Sequence, residues 1–248
     1  RFSAFESVSH LENFFYGVTK VATGTVVFND ITFDNSIQTA GWFTGTSQNM
    51  KVCVGAWGGN LSFNDCTFNV AGTSGAETGV MTWWTTEKGS LSFNECTFNG
   101  IENHASARAM QIYGNIDLNV EKCTFNTSYR YSLKYVGDET TAVLTNNKVN
   151  NAEYMVELGS SAYPGNAYEV TISGSVLGEG IKDFKIANIE EQIVNGVEYS
   201  KSPVRANGNK YMTIAEAIAG TTGDVEITIK DGTYNLPTSG FAGRNITF

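Results

Sequence analysis

Hydrophobic and polar residues alternate along this chain in short bursts, and the bursts repeat. LSFNDCTFN (Leu61 to Asn69) returns 30 residues later as LSFNECTFN (Leu91 to Asn99). In the first copy Leu61 and Phe63 lie two apart, as do Cys66 and Phe68, so each pair predicts a short strand with one inward side. The step of two breaks at Asn64-Asp65, which predicts a corner between two strands. Four segments align without gaps: TVVFNDITFDN, NLSFNDCTFN, SLSFNECTFN and DLNVEKCTFN. AVLTNNKVNN and VTISGSVLGE are weaker copies, and Ile31, Cys66, Cys96, Cys123, Asn147 and Ser175 are equivalent. A second strand-like stretch precedes most copies: KVCVGAW, GVMTWW, AMQIYG, SLKYVG and EYMVEL.

Successive copies lie 35, 30, 27, 24 and 28 residues apart. Periods of about 20 to 50 residues belong to solenoids and propellers. A propeller blade needs about four strands per repeat, whereas this chain supplies two or three. The expected fold is all-β, a right-handed single-stranded parallel β-helix of about six coils. Coils stack about 4.8 Å apart, so equivalent side chains lie above one another. Phe68, Phe98 and Phe125 then form an aromatic ladder with Phe33 below, and Asn69, Asn99 and Asn126 form an amide ladder at a bend. This pattern resembles the pectin lyase-like superfamily over roughly residues 12 to 180. The resemblance rests on repeat character and not on a catalytic motif.

The C-terminal segment reads differently. Thr213 and Glu216 make a capping box, Met212 or Ile214 with Ala217 and Ile218 gives a short apolar face, and Gly220 ends the helix. Val225, Ile227 and Ile229 then alternate as a strand. An amphipathic helix near residues 213–219 followed by a first-coil strand resembles the start of a pectin lyase-like β-helix. The chain therefore divides into a β-helix body, 1–200, and a cap segment, 201–248. Residues 203–248 are expected to cap the first coil of the same chain, to dock on a neighbour's as swapped or end-to-end self-association, or to stand alone. Ile181 to Gly196 is ambiguous, with capping of the other end one reading.

Composition narrows the function. Apolar residues are 41% and charged residues 17%, so a sizeable core is expected, and Gly is abundant at 26. The net charge of −9 disfavours a nucleic-acid partner, because phosphate binding rests on clustered Lys and Arg. No run reaches the roughly 18 apolar residues of a membrane helix, so no membrane insertion is expected. Arg1 is an unusual first residue, and the chain is expected to be part of a longer secreted protein.

Candidate chemistry is sparse. The column Cys66, Cys96, Cys123 has three readings, a disulfide, a metal site or packing filler, and filler is favoured because free Cys is usually buried. Asp30, Asp65 and Glu95 line up at the corner, with Lys122 next. They form either a calcium site or a solvated corner, and no other cofactor is expected. His10 and His104 have no triad partners nearby. Trp57, Trp83, Trp84, Tyr113, Tyr135 and Tyr154 concentrate in one strand set. Trp83 and Trp84 are adjacent, so in a strand one must face outward, and with Trp57 and Tyr113 they make a candidate binding platform. The expected function is a non-catalytic extracellular module of a bacterial or phage surface protein that binds a glycan or a host protein. A polysaccharide lyase or glycoside hydrolase is the alternative, and a structural stalk the third.

Overall fold

A computed structural model describes residues 2–3, 24–34, 52–56, 59–71, 78–82, 85–101, 107–230 and 232–248. It is all-β: the described residues are 59% strand and 3% helix and form a parallel β-solenoid of about five turns. The chain separates into two compact units, Arg1–Glu198 and Tyr199–Phe248.

Each turn of the first unit carries strands on three faces. The first face stacks Thr25–Asn29 on Asn60–Asn64, then on Thr85–Asn94, the second half of Arg108–Glu121, Thr141–Thr145, Tyr168–Ser173 and Glu191–Val194. The second face runs from Phe2–Ser3 through Thr32–Asp34, Thr67–Ala71, Thr97–Ile101 and Thr124–Asn126 to Lys148–Val149 and Val176–Leu177. The third face comprises Val52–Ala56, Thr78–Thr82, the first half of Arg108–Glu121, Tyr131–Gly137, Tyr154–Leu158 and Lys182–Ile186. Arg108–Glu121 runs on from the third face to the first, and its register shifts between Gly114 and Ile116. Ile181 to Gly196 is thus no cap. It supplies strands to the third and first faces, and Asn195 and Gly196 then turn the chain at φ 50° and 76°.

The expected register is present. Phe33 pairs with Phe68, Phe68 with Phe98, and Phe98 with Phe125. Their rings stack at 5.0, 4.6 and 5.3 Å, nearly parallel. A second ladder stands beside it on the first face, Phe28 on Phe63 on Phe93, at 5.1 and 5.0 Å. The two ladders meet edge to face, as at Phe63–Phe68 (5.5 Å) and Phe93–Phe98 (5.8 Å). Both contact geometries suit the ring quadrupole. The asparagine ladder is continuous: Asn99 donates to Asn69 Oδ1, Asn126 to Asn99 Oδ1, and Asn150 to Asn126 Oδ1.

The corner between the first and second faces has one backbone solution repeated in each turn. Asp30, Asp65, Glu95, Lys122 and Asn146 all have φ between 51° and 56°, and Gly174 has 64°. In this left-handed conformation the chain bends sharply, yet each of the five keeps its amide in the ladder. Asp30 N–H, for example, donates to Asn64 O, and Lys122 N–H to Thr145 O.

The second unit is small. Asn209–Tyr211 and Val225–Ile229 each pair antiparallel with Val204–Ala206, and Val225–Ile229 pairs parallel with Ile246–Thr247. The helix is Ile214–Ala219. Thr213 Oγ1 accepts from Glu216 N–H at 3.1 Å, and Glu216 Oε2 accepts from Met212 N–H at 2.9 Å. Ile214, Ala217 and Ile218 face a core of Val204, Ala206, Val225 and Ile227, whereas Met212 is exposed. Arg244 closes the unit by donating to the carbonyls of Gly223 and Ile218 and to Thr221 Oγ1.

Candidate functional site

Trp57, Trp83 and Trp84 lie outside the described residues, as do His10 and His104. Tyr113 lies on the third face, half-buried and enmeshed in polar contacts. Its amide donates to Thr82 Oγ1 at 2.7 Å, and its hydroxyl donates to Gln111 Oε1 at 3.3 Å. Gln111 in turn donates to Thr78 Oγ1 at 3.0 Å. Burial pushes the Tyr113 phenol up to about 12. Tyr135 belongs to the core, with its hydroxyl 2.9 Å from Ile116 O and 2.6 Å from Thr140 Oγ1.

Below Tyr113 the third face carries a cluster that the sequence reading missed. Strand register sets Gln111 against Lys134, Lys134 against Glu157, and Glu157 against Lys185. The same register sets Tyr131 against Tyr154 and Tyr154 against Lys182. Tyr129 and Arg130 lie in the connection that leads into Tyr131, held where Tyr129 N–H donates to Ala107 O and Arg130 O accepts from Tyr154 N–H. Glu157 is 1% exposed. Lys134 Nζ lies 2.8 Å and Arg130 Nη2 3.2 Å from its Oε1, while Oε2 is buried without a hydrogen bond. A charge buried this deeply is tolerated only when paired, and two cations supply the pairing. Aromatic rings complete the cluster. Arg108 lies 4.0 Å from the Tyr129 centroid and 5.4 Å from that of Tyr131, and Arg130 lies 5.6 Å from both. Lys182 and Lys185 approach Tyr154 at 5.9 and 5.5 Å. Burial pushes the Tyr131 phenol far above its ordinary value. The missed signal was that SLKYVG and YMVEL place Lys134 and Glu157 at equivalent positions, which stacking turns into neighbours.

The corner residues Asp30, Asp65 and Glu95 do form one column, on the left-handed backbone described above. Among the described residues no group of three His, Cys, Asp or Glu is placed to hold a metal ion. Lys122 ends the run of acids, with Nζ 3.4 Å from Glu95 Oε1. The hydrogen bond to Glu95, and the nearby Glu121 carboxylate, raise the Lys122 pKa.

Cys53, Cys66, Cys96 and Cys123 are free and buried. In the column each sulfur faces a backbone carbonyl, at 3.3 Å for Cys96 to Phe63 O and 3.4 Å for Cys123 to Glu121 O. The Cys123 thiol, then burial, pushes Cys96 up to about 12 against a lowering contact from Cys66. The thiols of Cys66, Cys96 and Cys123 sit inside the packed interior, each at most 1% exposed. Asn147 takes the next place in the column, fully buried; its Oδ1 accepts from Cys123 N–H and its Nδ2 donates to Val120 O, both at 2.9 Å.

A cavity of about 430 Å³ lies on the first face near the end of the solenoid, lined by Glu139, Glu169, Glu191, Glu198 and Tyr168. The geometry defines the class of protein, a parallel β-solenoid with a cation–tyrosine cluster on one face. Comparison with known protein families, curated proteins and solved structures returned no match.

Proposed function

We propose that this chain is a non-catalytic binding module of an extracellular surface protein, related to the pectin lyase-like β-helices, and that it holds a glycan on its third face. The observation that carries this reading is the gathering on one face of the part-exposed Tyr129 and Tyr154 with Arg108, Arg130, Lys182 and Lys185, beside the buried Tyr131 and Lys134. Tyrosine rings supply flat apolar area with a polar rim, and guanidinium groups supply fixed forks of donors. That mixture suits a sugar, which offers both apolar ring faces and hydroxyls. A stalk needs no such cluster, since aliphatic ladders would stabilise it equally well.

Catalysis is less well supported. Glycoside hydrolysis ordinarily needs two carboxyl groups in defined separation. Glu157 has one carboxylate oxygen occupied by Lys134 and Arg130, and none of the described acids on this face stands beside it as a second carboxyl group. The test is a glycan array run beside a reducing-end release assay. Binding without release is expected. Release of reducing ends would establish an enzyme, and an array with no bound glycan would favour the stalk.

A further inference from the structure

We propose that Arg108, seconded by Arg130, is a receptor for an oxyanionic substituent on the bound sugar, a sulfate ester or a carboxylate. This rests on the glycan-binding reading above and deepens it.

Arg108 opens the strand Arg108–Glu121, and its guanidinium carbon sits over Tyr129, 4.0 Å from the ring centroid. Among the described residues no carboxylate pairs with it, and its buried Nε has no hydrogen-bond partner. Ring stacking satisfies the face of a guanidinium and leaves its in-plane donors unused. Those donors form a rigid fork that matches two oxygens of a carboxylate or sulfate.

The surroundings do not quench this charge. Glu157 is the buried acid of the cluster, and its paired oxygen is taken by Lys134 and Arg130. Arg130 lies against the same two rings as Arg108, with its side chain 46% exposed. Two guanidinium groups around one pair of rings repel each other unless an anion lies between them. Lys182 and Lys185 extend the positive strip two strands further, beyond Tyr154. Among the described residues Glu153 and Asp183 are exposed acids on the same strip, neither in an ion pair with these cations. The chain as a whole carries −9, so a positive strip is a local exception. It is also selective, because the remaining surface repels polyanions in general.

The test uses the full chain and two matched ligand pairs in titration calorimetry. One pair is a dextran sulfate oligosaccharide and plain dextran, and the other is a uronate oligosaccharide and its methyl ester. The wild type should bind the charged member of at least one pair tenfold or more tighter than the neutral member, and the responding pair tells sulfate from carboxylate. Arg108→Gln should erase that preference, while Lys148→Gln, an exposed lysine on the second face, should leave it unchanged. If Arg108→Gln does not fold, Arg108→Lys should still reduce the preference at least threefold, because an ammonium cannot fork. Equal binding of charged and neutral members overturns the oxyanion receptor and leaves the glycan reading intact. Binding of neither pair and of nothing on the array removes both. A preference that survives in a folded Arg108 variant, measured by an unchanged circular dichroism spectrum, also overturns the receptor.

Discussion

Replacing Phe98 with alanine empties the middle of the inner ladder. Phe98 is fully buried, stacked at 4.6 Å on Phe68 and 5.3 Å on Phe125, with Phe93 edge-on at 5.8 Å. A buried Phe→Ala change costs about 3–5 kcal/mol, part of it from the cavity left behind. Aromatic pairs add about 0.5–1.5 kcal/mol each beyond buried area, and this ring has two stacked neighbours and one edge contact, so the upper half of the range applies. Collapse cannot fill the gap easily, because the ladder hydrogen bonds of Thr97–Ile101 hold the backbone on both sides. About 4 kcal/mol is the expected loss. With a urea dependence of about 3 kcal/mol per molar, the midpoint falls by roughly 1.3 M. The assay is urea unfolding followed by circular dichroism, with Thr97→Ala as the reference. Thr97 stands next to Phe98 on the other side of the strand, half-exposed, and its removal should cost less than about 0.5 kcal/mol. A Phe98→Ala variant within about 1 kcal/mol of wild type would refute the ladder as a source of stability.

Two further outcomes follow from the column beside it. Asn147→Ala strands the Cys123 N–H and the Val120 carbonyl without partners, at about 1–3 kcal/mol for each buried group. Urea unfolding should show a loss of roughly 2–4 kcal/mol, faster amide exchange should appear at Cys123, and Asn147→Cys should not rescue either, because a thiol cannot bridge both groups. Alkaline pH should destabilise the fold: Cys96 is raised from 9.0 to about 12, so between those values the unfolded chain releases a proton that the native chain keeps. Stability from this thiol is fully present below pH 9 and falls by about 1.4 kcal/mol per pH unit above it. Tyr113, raised from 10.0 to about 12, adds its share above pH 10. Unfolding midpoints that stay level from pH 8 to pH 10.5 would refute the buried state of these groups.

Much of the fold was legible because a parallel solenoid converts sequence equivalence directly into contact. Phe68 and Phe98 occupy the same place in two near-identical phrases, and the rings touch. The same rule applied to Val27, Phe28 and Asn29 would have found the second ladder, since Phe28, Phe63 and Phe93 are equivalent in those copies. It was missed because only the Phe33–Phe125 column was followed from copy to copy, although the aligned segments held Phe28, Phe63 and Phe93 as well. Asp30 to Lys122 were read as a column of charges when their common property is backbone shape. Acidic, basic and amide side chains all serve there, because what the corner demands is a φ near +55°, and local hydrogen bonding or glycine meets that demand. The third-face cluster was legible only in part: Lys134 and Glu157 are equivalent in SLKYVG and YMVEL and become neighbours, but its loop residues had no such mark. Tyr129 and Arg130 lie in a connection outside the repeat, so no equivalence in the alignment could place them beside Arg108.

Near-identity between successive rungs has a consequence for how the chain threads itself. Asn60–Asn64 and the end of Thr85–Asn94 present the same N-L-S-F-N or S-L-S-F-N face to their neighbours. Slipping one whole rung would leave Phe on Phe and Asn on Asn, with almost nothing lost locally. What lifts this degeneracy is the drift along the stack, where Cys gives way to Asn147, Phe125 to Val149 and Asp or Glu to Lys122. A wall of identical rungs would have many near-equal foldings. A gradient from one end to the other leaves one alignment in which every buried amide meets its carbonyl.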